Sequence, residues 1–189
     1  MTRFHQLTLV VCVIALSWLW MMIVHECGHV IGAWLSGGQI TRVHLPPFGF
    51  SRTDLGHNPR PLFVAWAGPM IGSIIPLIAM SVATIARLRR RYAIRFFAGV
   101  CLIANGAYIA IGSIDLVGDA GDLIDYGAAS WQLWLFGAVA CSLGLMMWRG
   151  VGRHFGLGKG RGRVHRSDAV AALVLLLLTV ALELFITFR

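Results

Sequence analysis

Acidic residues are scarce in this chain of 189 residues: Asp and Glu number 8 against 16 Lys and Arg, and charged residues of both signs make up only 13%. An ordinary soluble domain carries about 25% charged residues, so that class is excluded, and a hydrophobic content of 58% points to lipid as the surrounding solvent. Cysteine is sparse too. Cys12, Cys27, Cys101 and Cys141 all lie in apolar stretches without C-x-x-C spacing, which offers neither a disulfide framework nor a thiolate metal site; they read as small buried hydrophobes. Internal repeats are lacking. The N-terminal apolar run has no small-x-small cleavage site and continues past signal-peptide length, which predicts an uncleaved first helix.

The net charge of +8 would suit nucleic acid, but the arginines cluster in short loops beside hydrophobic segments, where membrane topology and anionic lipid account for them. No nucleic-acid partner is expected. Crossing a bilayer takes about 20 apolar residues per helix, and five segments qualify, at about 7–35, 62–86, 96–114, 131–148 and 169–188. The expected fold is an all-α polytopic membrane protein, one membrane-embedded domain over residues 1–189. A short β-hairpin or re-entrant loop is expected after the first helix, where the chain turns polar from Gln39 to Pro61 and carries β-branched residues, Pro46-Pro47 and Phe48-Gly49-Phe50.

If every segment crosses once, Arg3 and the basic loops Arg87–Arg95 and Arg149–Arg166 share one side, which the positive-inside rule makes cytoplasmic. The second of these loops, rich in glycine from Gly150 to Gly162, reads as a flexible connector touching anionic headgroups. The end of segment one, the 39–61 loop and the acidic stretch Asp115–Asp125 meet on the opposite side. That stretch holds Asp115, Asp119, Asp122 and Asp125, half of all the carboxylates.

Within segment one stands His25-Glu26-Cys27-Gly28-His29. Histidines four apart share a helix face about one turn apart, so both imidazoles can reach a single ion. Zinc needs neutral nitrogen donors and an open position, and the adjacent Glu26 carboxylate can take a proton from water and pass it to a leaving amine. Ionisable groups inside an apolar helix are costly and usually functional; the bland reading is a set of interhelical hydrogen bonds. Cys27 and Gly28 read as packing residues, His44 and His57 as solvated loop histidines.

These residues, followed by Gly37-Gly38 and by Ala67-Gly68-Pro69 in the second segment, resemble the site-2 protease family of intramembrane zinc metalloproteases, over about residues 15–127. The resemblance implies hydrolysis of peptide bonds of membrane-protein substrates in or near a transmembrane segment, with Zn2+ as cofactor and Glu26 as general base. It implies a third ligand beside His25 and His29 from an aspartate near the end of a later helix. Asp119, in Gly118-Asp119-Ala120, fits best, with Asp122 and Asp115 as alternatives; for the other carboxylates, pairing with Arg42, Arg52 or Arg60 is expected. The asparagine often found after Gly-Pro is replaced by Met70-Ile71-Gly72-Ser73 and the usual Leu-Asp-Gly is absent, so Asn105 becomes a candidate for the missing hydrogen bond. The arginine count places the zinc towards the outside, opposite to the family's usual side. With no organelle-targeting segment evident, a prokaryotic cell membrane is the expected location.

Two features admit other uses. The 39–45 strand can offer an edge to an extended substrate. A membrane metal-binding or transport protein would use the same ligands, but transport favours carboxylates at several depths, and beyond Glu26 only Glu183 lies deep in a segment.

Overall fold

A computed structural model describes residues 2–158 and 164–187. Gly160 and Gly162 of the basic loop, and Phe188 at the end of the fifth segment, lie outside the described residues. The order of elements is α1 (Thr2–Ser36), β1 (Ile40–His44), β2 (Arg52–Leu55), α2 (Pro61–Ile85), α3 (Arg91–Asp115), α4 (Gly118–Asp125), α5 (Ser130–Trp148), a 3₁₀ turn (Val151–Phe155) and α6 (Arg166–Thr187). Helices α1, α2, α3, α5 and α6 are long and apolar enough to cross a membrane, the architecture of a multi-span membrane protein. With 35 residues and a rise of about 1.5 Å per residue, α1 is roughly 50 Å long and outreaches a hydrocarbon core of about 30 Å.

Small residues set how closely these helices approach. A Cβ on Gly28 of α1 would sit 2.8 Å from the Cα of Gly68 in α2; one on Gly137 of α5 would sit 2.7 Å from the Gly106 carbonyl oxygen of α3, and one on Gly144 2.8 Å from that of Gly99. Backbones in contact are how helices gain van der Waals packing where lipid removes the hydrophobic drive. Helix α2 opens on Pro61, whose missing N–H costs nothing at a first helical position. Gly68-Pro69 lies inside α2.

The structure corrects three expectations. A sixth helix, α4, forms in the acidic stretch. Leu116 takes a left-handed conformation that ends α3, and Asp119 then occupies the first turn of α4, where a carboxylate complements the helix dipole. Helix α3 starts at Arg91 rather than near Phe96, because arginines at a span's end extend their charged heads beyond the apolar layer. The basic loop is not wholly a flexible connector: Val151 and Phe155 of its 3₁₀ turn are buried with Leu9, Val13 and Ala169.

The two ends of the bundle differ in character. At one, the Gln6 side-chain amide donates to the carbonyls of Phe155 and Gly156, and Arg89 and Arg90 both pair with Asp168. At the other lie α4 and the hairpin, whose antiparallel register pairs Ile40 with Leu55, Arg42 with Asp54, Val43 with Thr53 and His44 with Arg52. Thr187 at the end of α6 donates to the Leu45 carbonyl beside it. The N-terminus thus shares an end with the basic loops, and the histidine motif lies towards the other, as the segment order requires.

Candidate metal centre

His25 and His29, both buried, face α2 and α3 from α1, and α4 brings Asp119 over them. The Asp119 Oδ2 atom lies 2.7 Å from His25 Nε2 and 3.2 Å from His29 Nε2, and the two Nε2 atoms are 3.1 Å apart. Among the described residues these three side chains form a group able to hold one metal ion. Ligand atoms about 2.0–2.1 Å from one ion in a tetrahedron stand roughly 3.3 Å apart, so two edges of the triangle are near the size a small cation needs and the His25–Asp119 edge is shorter.

The protons decide what the triangle is. His25 Nδ1 lies 2.6 Å from Asn105 Oδ1, and the Asn105 amide nitrogen donates to the Cys101 carbonyl at 2.8 Å. With its NH₂ committed there, Asn105 turns its oxygen to His25, and Nδ1 must be the protonated nitrogen. His29 Nδ1 meets the Val64 carbonyl at 2.9 Å, again an acceptor. Both imidazoles therefore direct unprotonated Nε2 atoms at each other and at a carboxylate oxygen. Three acceptors at that spacing require positive charge among them, a proton or a metal ion, and outer partners of this kind orient metal-binding histidines generally.

No family model matches the chain, and no curated protein and no solved structure is similar to it. What the centre can do is read from its own atoms.

Asp119 is held well below the usual carboxylate range: burial opposes ionisation, but the positive charge that the triangle requires, carried on the His25 and His29 side, outweighs it. Its backbone N–H donates to the Tyr108 hydroxyl oxygen at 3.2 Å, and the Tyr108 ring meets that of His25 edge-on at 6.3 Å. Glycine stands at 118 because its φ is +54° and a Cβ there would overlap the same hydroxyl. Of the alternatives to Asp119, Asp122 lines the neighbouring cavity and Asp115 is exposed; neither joins the two histidines. Arg52 pairs with Asp54 at 3.2 Å, and among the described residues no ion pair joins Asp115, Asp122 or Asp125 to Arg42, Arg52 or Arg60. His44 bonds Asp54 at 2.8 Å, outside the centre.

Glu26 is buried, and both its oxygens are engaged: Ser51 donates to Oε1 at 2.7 Å and Thr53 to Oε2 at 2.6 Å. A cavity of about 770 Å³ joins Glu26 and the three clustered side chains to Tyr108 and to residues 50–55 of the hairpin. The strand facing the centre is therefore β2, whereas the sequence drew attention to 39–45. Ser51, Thr53, Tyr108 and the Val64 carbonyl were not foreseen. Thr53 lies in β2 and Ser51 just before it, and two hydroxyls two residues apart on extended chain share a face, the one trace they leave in the sequence.

The motif's inner residues divide. Gly28 packs against the α2 backbone as expected, but Cys27 is exposed rather than buried, because it points away from the face that carries the histidines. Gly68 has the larger part: a Cβ there would collide with the His29 imidazole, with its Cδ2 at 2.8 Å.

Proposed function

We propose that the chain is an intramembrane zinc metalloprotease of the site-2 protease type, cleaving peptide bonds of membrane proteins in or near a transmembrane segment, in a prokaryotic cell membrane. The observation that carries the reading is the convergence of three metal-ligating atoms, His25 Nε2, His29 Nε2 and Asp119 Oδ2, beside a buried carboxylate in a five-span protein. The donor set, two neutral imidazoles and one carboxylate with a position left open, suits catalytic zinc.

His25, His29 and Asp119 would hold the ion, which when bound supplies Lewis acidity that polarises a carbonyl and makes water a better nucleophile. Glu26 takes a proton from the water that attacks the scissile carbonyl and delivers it to the departing amine as the C–N bond breaks. Ser51 and Thr53 fix the rotamer of that carboxylate, and one of the two hydroxyls must give way when an oxygen accepts the proton. Tyr108 accepts from the Asp119 N–H, which leaves its own O–H to donate into the cavity, towards negative charge that develops on the carbonyl oxygen.

The test is zinc content and cleavage of transmembrane peptides by the purified protein and its His29→Ala, Asp119→Asn and Glu26→Gln variants. We expect about one zinc per chain, lost in the first two, and zinc retained without cleavage in Glu26→Gln. Native protein without zinc, or Glu26→Gln that still cleaves, refutes the proposal.

A further inference from the structure

At the end of the bundle that carries the N-terminus, a second cavity of about 660 Å³ opens between the α2–α3 turn and the 3₁₀ turn, a size typical of small-molecule sites at about 300–1,000 Å³. Among the described residues five arginines line it, Arg87, Arg89, Arg91, Arg95 and Arg153, and none of the lining residues is acidic. Two are already engaged: Arg89 pairs with Asp168 at 2.7 Å and Arg95 donates to the Arg149 carbonyl at 3.1 Å. Arg87, Arg91 and Arg153 have no ion-pair partner among the described residues.

Tyr92 and His154 stack at 5.1 Å and 10° in the cavity wall. The His154 ring is held below the ordinary imidazole range by partial burial and by Arg153, Arg91 and Arg95, which line the cavity with it. Arg87 also sits where its backbone resists a side chain. It follows the end of α2 with φ +53°, and Leu88 N–H bonds the Ala83 carbonyl around it, a helix ending that favours glycine. An arginine at a left-handed position points to a use for its guanidinium.

We propose that this cavity binds a phosphate-bearing anion, gripped by Arg87, Arg91 and Arg153. Guanidinium groups match phosphate oxygens in paired hydrogen bonds. The cavity is lined by the last turn of α2, the first turns of α3 and the residues that follow α5, where apolar spans give way to charge, so a phospholipid headgroup and a soluble phosphate compound share the required chemistry. The site is independent of the metal centre, which stands at the other end of the bundle.

Calorimetric titration of the full chain in neutral detergent, with short-chain phosphatidylglycerol in one arm and inorganic pyrophosphate in the other, tests it. The cavity variant carries Arg87→Gly, Arg91→Gln and Arg153→Gln; the control carries Arg3→Gln, Arg149→Gln and Arg166→Gln, which removes equal charge from the same end. We expect one saturable site, weakened about tenfold or more by the cavity variant and less than about threefold by the control. Saturation by the lipid alone identifies a headgroup site, and saturation by pyrophosphate a site for soluble phosphate; both support the proposal. Arg87→Gly alone should weaken binding while raising the melting temperature, since glycine suits the backbone there, so weaker binding is not mistaken for misfolding. No saturable binding of either probe, or equal weakening by the two triple variants, overturns it.

Discussion

Asn105 on α3 holds His25 on α1 by a 2.6 Å contact between its Oδ1 and the imidazole Nδ1. The bond reaches across two helices and sets which nitrogen of His25 faces Asp119. Replacing Asn105 with Ala frees the ring to rotate and to exchange its proton between nitrogens. Zinc affinity of Asn105→Ala, measured by competition with a chelator, should fall about 10–100-fold with the fold intact. An unchanged affinity would mean that Asn105 only ties helices together.

Gly68→Ala tests the α1–α2 crossing. Its added methyl meets the His29 ring and, across from it, the backbone around Gly28 leaves no room to retreat. We expect a loss of about 1–3 kcal/mol of stability, as overpacking generally costs, together with loss of the metal. Circular dichroism melting and zinc counting follow the two effects separately. Gly37→Ala, where a Cβ would meet nothing within 4 Å but φ is +78°, should cost stability alone.

The five-span fold was legible in the sequence because apolar runs of bilayer length speak for themselves, and His25 and His29 because a helical spacing of four reads directly as one face. Asp119 was reached through resemblance rather than through spacing, since 90 residues separate it from His29 and only the α3–α4 turn brings it back. That turn depends on Leu116 and Gly118 at positive φ, and Leu116, not a glycine or asparagine, gives little warning of it. Ser51 and Thr53 were hidden for a similar reason: a short polar strand has no pattern that says which buried carboxylate its hydroxyls will meet.

Ser51→Ala combined with Thr53→Val removes both hydroxyls from Glu26 while sparing the three clustered donors. The double variant should keep its zinc and lose about tenfold or more in kcat, because a carboxylate free to change rotamer is seldom aligned for proton transfer. The comparison of kcat with zinc content in the same preparation checks this. Loss of zinc as well would show that the hairpin supports the ligands and not the base.

Glu183 on α6 is buried, and its Oε2 has no hydrogen-bond partner among the described residues. Glu183→Leu should raise stability, by about 1–3 kcal/mol, since an unsatisfied buried polar atom costs that much, and should leave peptide cleavage unchanged. Melting temperature and cleavage rate measure the two. A variant that abolished activity would bring α6 into the chemistry and favour an ion path through the bundle.

The cavity beside the histidines takes its walls from α1, the hairpin, α2, α3, α4 and the residues flanking them, and no lining residue comes from α5 or α6. On the proposed function the chemistry is housed in the first 126 positions or so, while α5 and α6 pack outside that housing. Two parts under such different demands accept change at different rates. Saturation mutagenesis should find the exposed positions of α5 and α6 permissive wherever an apolar residue replaces another, but not Gly137 and Gly144, where α5 touches the α3 backbone, nor the buried Leu133 and Ala140.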